Sequence, residues 1–271
     1  MFNKILNNYN LVNNIYRKEF NFSNQKVEFE MRSNLSKKFY NNYLLEISRH
    51  HSIEVMNLFL RNFLKNIREN GNILDIGCGW CWLWRDISTY RPDIKIYALD
   101  FVIENFHHAK NILSQNDLQQ IYLINDNFEE FIDEENLFDG IWSSQTFQHI
   151  GNFDNNFKKV SDLLIENGKF YNFNLNFSIF NKLASLKNKE SKKETTIDNL
   201  YYLNRNIIFQ EQILKKYFKK IQLNYCEYLF HPELKMFFGK KNSIIGKLDS
   251  YLVGRNYLKK FARQVLMDSS K

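Results

Sequence analysis

The chain has 271 residues and a formal net charge of +7, and 44% of its residues are hydrophobic. This apolar content suits the packed core of one large domain and excludes a largely disordered chain. No apolar run reaches the roughly 18 residues that a membrane-spanning helix needs, and the N-terminus lacks the apolar segment of a signal peptide, so we expect a cytoplasmic protein.

Charge and cysteine content narrow the classes of partner. Basic residues are interleaved with acids along the chain, which favours a solvated surface or a phosphate-bearing substrate over nucleic acid. The three cysteines, Cys78, Cys81 and Cys226, are too few for a disulfide framework and fit a reducing compartment.

The N-terminal part is polar with scattered aromatic residues. Residues 1–49 are predicted to form a helical arm that serves as a lid. The apolar spacing from Leu35 to Asn70 predicts two helices with a break near His50 and His51.

From residue 70 onward, short apolar segments alternate with stretches of helical spacing. The predicted strands are Ile73–Ile76, Ile94–Leu99, Ile121–Ile124, Phe138–Ser143, Lys169–Asn176, Ile221–Tyr228 and Glu233–Phe238. The predicted helices are Trp80–Tyr90, Ile103–Gln115, Asn155–Ile165 and Ile208–Phe218, and Phe128–Glu134 is predicted to form a short helix or turn. Strands separated by helices of this length predict βαβ units and a parallel sheet.

Two segments depart from this alternation. Residues 177–206 contain the charge-rich run Lys187–Glu194 and are too long for an ordinary connection, so they are predicted to form a surface insertion or lid. Residues 243–271 have apolar side chains at helical spacing. They are predicted to form an appended helical tail that packs on the domain or on a partner, including a second copy of the chain. The domain itself is placed at residues 50–242.

The segment Asn72–Arg85 carries the most information about function. An apolar run with one acid leads directly into Gly77, Cys78 and Gly79. A buried strand that ends in a glycine turn before a helix leaves backbone N–H groups unpaired and lets a ligand approach closely. The segment therefore predicts a corner that binds an anion or a nucleotide.

Two alternative chemistries compete for this corner. A dinucleotide turn of the form Gly-x-Gly-x-x-Gly would need glycine where the chain has Trp82, so this interpretation fails at its third position. A metal site at Cys78 and Cys81 would need two further ligands, and no second Cys pair or close Cys/His pair supplies them. No metal is predicted, whereas thiol–disulfide chemistry at this pair stays open.

The run Leu74–Gly79 resembles motif I of the class I S-adenosylmethionine-dependent methyltransferases, in which an acid precedes Gly-x-Gly at the end of the first strand. The resemblance implies a Rossmann-like, doubly wound, mostly parallel sheet of seven strands with an antiparallel last strand. It also implies S-adenosylmethionine as the cofactor, bound across the strand end at Gly77, Cys78 and Gly79. Asp75 would orient the loop and the methionine amine.

Later residues follow in the order of the same family. Asp100 closes the second strand, where an acid accepts hydrogen bonds from both ribose hydroxyls, and Phe101 would pack on the adenine face. After the third strand, the resemblance implies that Asp126 accepts from the adenine amino group. The backbone near Asn127 would contact the ring, next to Phe128.

The fourth strand and its continuation complete the resemblance. Phe138–Ile150 is similar to the family segment that contains Phe-Asp and Glu-His-Ile, and the resemblance places Ser143 and Gln145 at the cofactor. Leu163–Phe170 resembles the following helix-to-strand turn, and Lys235–Lys240 resembles the closing strand.

The acceptor class is narrowed by motifs that the chain lacks. It has no Asn/Asp-Pro-Pro-aromatic motif after the fourth strand and no cysteine nucleophile there, which disfavours methylation of nucleic-acid bases. We expect transfer to a hydroxyl or amine of a small polar acceptor, and by analogy with the small-molecule branch the leading candidate is a sugar or nucleotide-linked sugar. His149 is the candidate general base, although a histidine there often only shapes the pocket, and His231 is the second candidate.

Two other functions remain open. An RNA methyltransferase would use the net charge of +7 and the lysine-rich insertion. A non-catalytic domain that binds the cofactor or a partner would account for two departures from the family pattern. These are Cys81 where a third glycine is common and Gln148 where glutamate is usual.

Overall fold

The computed structural model describes residues 5–20, 26, 28–37, 52–150, 152–176, 178–180, 207–229 and 244–271. Most of the insertion predicted at 177–206 lies outside these residues, as do the predicted strand Glu233–Phe238 and the candidate base His231. Within the described ranges, no helix is long and apolar enough to cross a membrane.

Nine strands form a single sheet. In chain order they are β1 (Asn10–Val12), β2 (Ile15–Arg17), β3 (Asn72–Ile76), β4 (Lys95–Asp100), β5 (Ile121–Asn125), β6 (Phe138–Ser144), β7 (Leu164–Leu175), β8 (Lys220–Cys226) and β9 (Gln264–Ser270). Their order across the sheet is β1-β2-β5-β4-β3-β6-β7-β9-β8. Every neighbouring pair from β2 to β7 is parallel, whereas β1 runs antiparallel to β2 and β9 runs antiparallel to both β7 and β8.

Helices cover both faces of the sheet. In chain order they are α1 (Ser52–Lys65), α2 (Ile87–Tyr90), α3 (Ile103–Ile112), α4 (Gln115–Leu118), α5 (Phe153–Leu163), α6 (Ile207–Tyr217) and α7 (Ile244–Leu252). Residues 28–37 are helical as well. Phe63 of α1 packs edge-on against Trp142 of β6 on one face, with ring centroids 5.4 Å apart. Phe157 of α5 packs against Phe170 of β7 on the other, with centroids 6.2 Å apart. The predicted doubly wound, mostly parallel α/β fold is confirmed, but the prediction of seven strands is wrong, because the described residues form a sheet of nine.

The prediction of a helical N-terminal arm is wrong for residues 10–17, which form the hairpin of β1 and β2. Asn13 and Asn14 connect the strands with φ angles of 52° and 57°. A two-residue hairpin turn of type I′ needs positive φ at both positions, and asparagine tolerates this conformation better than most residues. The hairpin extends the sheet beyond β5, because β2 pairs in parallel with that strand.

The prediction of a helical C-terminal tail is wrong for residues 264–270. Helix α7 confirms the first part, but the chain then returns as β9, which lies between β7 and β8. Val265, Leu266 and Met267 are fully buried, because a strand inside a sheet that is covered on both faces buries consecutive side chains. A short, continuously apolar run of this kind cannot be told from a buried helix by periodicity alone.

The position of β9 gives a direct stability test. We expect Leu266→Ala to lower the free energy of unfolding by about 2–5 kcal/mol, because it opens a cavity under a side chain that is 0% exposed. Leu248→Ala in α7 is the matched control, and its side chain is 52% exposed. Urea unfolding should show a small effect for the control, and an equally small effect for Leu266→Ala would contradict the strand assignment.

Candidate functional site

The candidate site lies at the carboxyl ends of β3, β4 and β6. Strands β4 and β6 flank β3 on opposite sides: the chain moves from β3 through β4 to β5 on one side and then returns to β6 on the other, so the strand order reverses at β3. In open α/β sheets this reversal creates a crevice outside the strand ends, where ligands bind. The predicted glycine corner follows β3 directly and therefore lies in this crevice.

The two glycines of the corner are required for different reasons. Gly77 has φ +70°, and a Cβ there would lie only 2.1 Å from Oγ1 of Thr146. Gly79 has φ +54° and no atom within 4 Å of the position that a Cβ would take. The backbone N–H groups of Gly77 and Cys78 donate to the Leu99 carbonyl at 2.8 and 3.1 Å, which ties the corner to β4. The open side at Gly79 is the part of the turn that a ligand can approach.

The helix predicted at Trp80–Tyr90 is wrong as a continuous element. Cys81 and Asp86 both adopt the left-handed region, with φ angles of 55° and 67°. They divide the segment into a 3₁₀ turn at Trp82–Trp84 and the short α2. Left-handed backbone is strained for a residue with a Cβ, so the position that Cys81 occupies is one that favours glycine. This explains why the resembling family commonly has glycine there.

Asp75 is held beneath the corner. Its Oδ2 accepts a hydrogen bond of 2.6 Å from the indole N–H of Trp84, and both residues are buried. Burial raises the pKa of Asp75 from 3.8 to about 7, although the Trp84 hydrogen bond acts in the opposite direction. Its predicted role in orienting the loop thus has a structural partner, and its contact with a methionine amine stays a prediction. Nothing in the local sequence distinguishes Trp84 from an ordinary core residue, so its contact with Asp75 could not be predicted.

Asp100 joins the corner to the end of β4. Oδ2 accepts from the backbone N–H of Gly79 at 2.9 Å, and Oδ1 accepts from that of Val102 at 2.8 Å. Burial raises the pKa of Asp100 to about 6, although these backbone hydrogen bonds lower it. Each carboxylate oxygen has capacity for a second donor, so the side chain can still accept from a ribose hydroxyl.

Asp126 is engaged by the N-terminal arm. Its Oδ2 accepts from the Tyr9 hydroxyl at 2.6 Å and lies 2.8 Å from Nζ of Lys18, while its Oδ1 accepts from the Asn127 N–H at 2.8 Å. Burial, followed by the charge of Asp126, raises the pKa of Tyr9. A purely sequence-local argument could not have found Tyr9, which is 117 residues away. The predicted contact of Asp126 with adenine stays a prediction.

A cavity of about 540 Å³ opens beside the end of β4. The domain contributes Phe101, Ile103 and Asn125 to its lining, and the arm contributes Lys18 and Phe29 among others. The rings of Phe29 and Phe101 are in contact, with centroids 5.8 Å apart. Four apolar residues and four polar or charged residues line the cavity, so a flat ring with polar edges, such as a purine, could both stack and hydrogen-bond there.

Ser143 and Gln145, at the end of β6, and Phe128, after β5, were predicted to lie at the cofactor, and each has a structural partner. Ser143 is fully buried, and its hydroxyl donates to the Ile76 carbonyl at 3.1 Å. Gln145 has φ 56°, and its N–H donates to the Phe173 carbonyl at 2.6 Å. Phe128 is buried against Phe147, with ring centroids 5.9 Å apart.

His149 meets the helical segment 28–37. Nη2 of Arg32 lies 3.0 Å from Nε2 of His149, and the Gln148 amide nitrogen lies at the same distance from it. Because arginine can only donate, Nε2 must carry the lone pair and Nδ1 the proton. Glu28 faces Nδ1 with an oxygen 3.6 Å away and accepts from Nε of Arg32 at 2.7 Å. Nothing in the local sequence around Glu28 and Arg32 indicates that they contact His149, so this contact could not be predicted.

The chain is similar to known proteins both in sequence and in fold. The family model described as "Methyltransferase domain" matches residues 67–223, more than half of the chain. No curated protein sequence matches the chain significantly.

Three solved structures illustrate the similarity of the fold. An S-adenosylmethionine-dependent methyltransferase of Thermotoga maritima, described as a possible histamine N-methyltransferase, has 14% identity and a TM-score of 0.57, with 90% of this chain and 99% of that chain covered. Geranyl diphosphate C-methyltransferase of Streptomyces coelicolor has 8% identity and a TM-score of 0.55, with 80% of each chain covered. Phosphoethanolamine N-methyltransferase 2 of Haemonchus contortus, solved with S-adenosyl-L-methionine, has 17% identity and a TM-score of 0.52, with 79% of this chain and 52% of that chain covered.

The buried Asp75 gives a pH-dependent test. Between pH 3.8 and about 7 the folded protein retains a proton that the unfolded chain has released, so stability falls as the pH rises through this window. Asp75→Asn removes this effect. Relative to the variant, the wild-type unfolding free energy should drop on the order of a few kcal/mol across the window, since one pKa unit corresponds to about 1.4 kcal/mol.

Urea unfolding at several pH values measures this difference. Asp133→Asn is the control, because the Asp133 side chain is 90% exposed. Its stability profile should run parallel to that of the wild type, and a parallel profile for Asp75→Asn would contradict the raised pKa.

Proposed function

We propose, on the premise that this chain belongs to the family of methyltransferase domains, that it transfers a methyl group to a hydroxyl or amine of a small polar acceptor. It is an S-adenosylmethionine-dependent methyltransferase. The observation that carries the proposal is the glycine corner at the switch point of the sheet, with its open side at Gly79 and the Asp100 carboxylate closing on it. This is a cradle that fits a nucleoside with a charged side arm.

The cofactor is assigned to residues along the strand ends. Gly77, Cys78 and Gly79 would carry the methionine part, because the turn is open at Gly79, where no atom lies within 4 Å of the position that a Cβ would take. Asp100 would accept from the ribose hydroxyls with the capacity that its two backbone contacts leave. The cavity beside Phe101 has the volume for adenine, aromatic rings that could stack on it and polar groups that could bind its edge.

The helical segment 28–37 would cover the bound cofactor. It contacts α3 through Lys37, whose side-chain nitrogen lies 2.9 Å from Glu104. It contacts the loop after β6 through Arg32, which lies against His149. The positive charge of Arg32 also opposes the effect of burial, which raises the pKa of Asp100. A cover of this kind excludes water from the reacting groups and strengthens the electrostatic interactions inside.

His149 is assigned the role of general base. Bound S-adenosylmethionine would supply a methyl group on a positively charged sulfur. The acceptor lone pair would attack the methyl carbon in line and displace the sulfur. For a hydroxyl acceptor, His149 would take the proton on Nε2, the atom whose lone pair now receives the Arg32 hydrogen bond. The acceptor hydroxyl must therefore replace Arg32 at this nitrogen. Glu28, facing Nδ1, would then stabilise the imidazolium that forms.

A small acceptor is the class that we favour over RNA. The structural relatives include methyltransferases named for phosphoethanolamine and geranyl diphosphate, both small molecules that carry phosphate. A sugar or nucleotide-linked sugar has the same polar, anionic character when it is phosphorylated, and the net charge of +7 suits it. Steep salt dependence of RNA binding would instead favour the RNA alternative.

Asp100 provides the test of the cofactor site. We expect Asp100→Ala to weaken the affinity for S-adenosylmethionine by about 100-fold or more, because it removes both ribose acceptors and the anchor of Gly79. Isothermal titration calorimetry measures the loss, with circular dichroism as a check of folding. Asp133→Ala should bind normally, and normal binding by Asp100→Ala would show that the ribose assignment is wrong.

His149 provides the test of the chemical step. We expect His149→Ala to lower kcat by about 100-fold or more with a hydroxyl acceptor, while cofactor affinity changes little. The assay follows transfer of a labelled methyl group across a panel of phosphorylated sugars and amines. His107→Ala, at an exposed position of α3, is the matched control. Unchanged turnover in His149→Ala would leave this histidine a pocket-shaping residue only.

A further inference from the structure

Helix α7 and the segment that connects it to β9 expose five large apolar side chains. The exposed fractions are 86% for Ile244, 52% for Leu248, 70% for Tyr251, 77% for Tyr257 and 42% for Phe261. We call this set the C-terminal surface. Single exposed apolar residues are ordinary on proteins, whereas a contiguous group marks an interaction site.

Helix α7 buries its one acidic residue and exposes most of its large apolar residues. Asp249 is fully buried, and its Oδ1 accepts from the N–H groups of Tyr228 and Leu229 at 2.7 and 3.1 Å. Ile244, Leu248 and Tyr251 recur at the i, i+4 and i+7 spacing of one helix face, which points away from the domain. The Asp249 contacts thus set the orientation of the helix, and among the residues that the structure describes its apolar stripe stays exposed.

Within residues 244–263, all of the exposed charged side chains are basic. Lys247, Arg255, Lys259 and Lys260 are exposed, and the only acid between residues 244 and 263 is the buried Asp249. The Arg255 guanidinium lies 5.3 Å from the centre of the Tyr251 ring, so the basic and apolar groups are interleaved on one surface. Such a surface is complementary to one that is apolar beneath and negatively charged on top.

The C-terminal surface lies at the same edge of the sheet as the candidate site. Since β9 is antiparallel to both β7 and β8, the latter two end at this edge, and the Gly254 N–H donates to the Tyr225 carbonyl near the end of β8. Asn176, just after β7, donates from its amide to the Lys259 and Ala262 carbonyls at 2.9 and 2.8 Å. The preceding residue, Leu175, donates its N–H to Gln148, next to His149.

We propose that the C-terminal surface docks this methyltransferase on an anionic lipid bilayer, with the strand ends that form the candidate site turned toward the membrane. Aliphatic side chains that project from a convex helix gain free energy in the acyl region, tyrosines sit well at the headgroup level, and lysine and arginine pair with anionic headgroups. RNA would pair with the basic groups but would leave Ile244 and Leu248 in water. A second copy of the chain, docked through the same surface, would place its four basic residues close to the four basic residues of the first copy.

Vesicle co-sedimentation of the full chain tests the proposal. We expect the protein to partition onto vesicles of phosphatidylcholine mixed with phosphatidylglycerol, and far less onto phosphatidylcholine alone. Lys259→Glu with Lys260→Glu should weaken partitioning by about 25-fold or more, since each basic residue near an anionic surface contributes about 1 kcal/mol, which is about fivefold. Leu248→Ser with Tyr251→Ser should weaken it as well, at every ratio of the two lipids.

Matched controls separate docking from folding and from catalysis. Lys65→Glu with Lys220→Glu makes the same charge change at exposed positions elsewhere, and Ile208→Ser removes an apolar side chain that is 67% exposed on α6. These variants should partition like the wild type, and all variants should bind S-adenosylmethionine normally. Equal partitioning of the wild type onto both vesicle types would overturn the proposal. So would loss of partitioning in the controls, or a dimer in sedimentation velocity that the Leu248 and Tyr251 changes dissociate.

Discussion

The Asp100 carboxylate is the contact on which the candidate site depends, because it holds two loops in one arrangement. One oxygen fixes Gly79 after β3, and the other fixes Val102 before α3. Without this bridge, a turn that contains two glycines and a strained cysteine would have many conformations available. Its burial raises the pKa of the carboxyl, so the backbone donors are needed to keep it ionised near neutral pH. A ribose hydroxyl would therefore meet an acceptor that is already oriented.

The N-terminal segments are part of the site, although they lie far from it in sequence. Tyr9 and Lys18 meet the buried Asp126, and Arg32 meets His149 across a separation of 117 residues. A buried carboxylate without such partners would be strongly destabilising, so these contacts hold the arm against the domain. The same contacts place Phe29 against Phe101, beside the cavity assigned to adenine. Cofactor binding and the position of the arm are thus expected to depend on each other.

The sequence predicted those features that depend on local pattern. A few neighbouring residues are enough to indicate the alternation of strands and helices, the corner at Gly77 and Gly79, and the acid at Asp100. The fold class that these features imply is confirmed. Features that depend on distant partners were missed or wrong. The strand β9 was mistaken for helix because its neighbours in the sheet, not its own spacing, determine its burial. The helix after the corner was predicted as continuous because the left-handed backbone at Cys81 leaves no trace in residue type.

Hydrogen–deuterium exchange with and without S-adenosylmethionine tests the central claim, that the cofactor lies across the glycine corner, most directly. Peptides that span residues 77–85 and 100–106 should exchange more slowly when the cofactor is added, because it would cover the open side of Gly79 and the end of β4. Peptides from β8 and β9 report on the far side of the sheet and should be unchanged. Binding with protection confined to other segments, or no protection at saturating cofactor, would contradict the assignment.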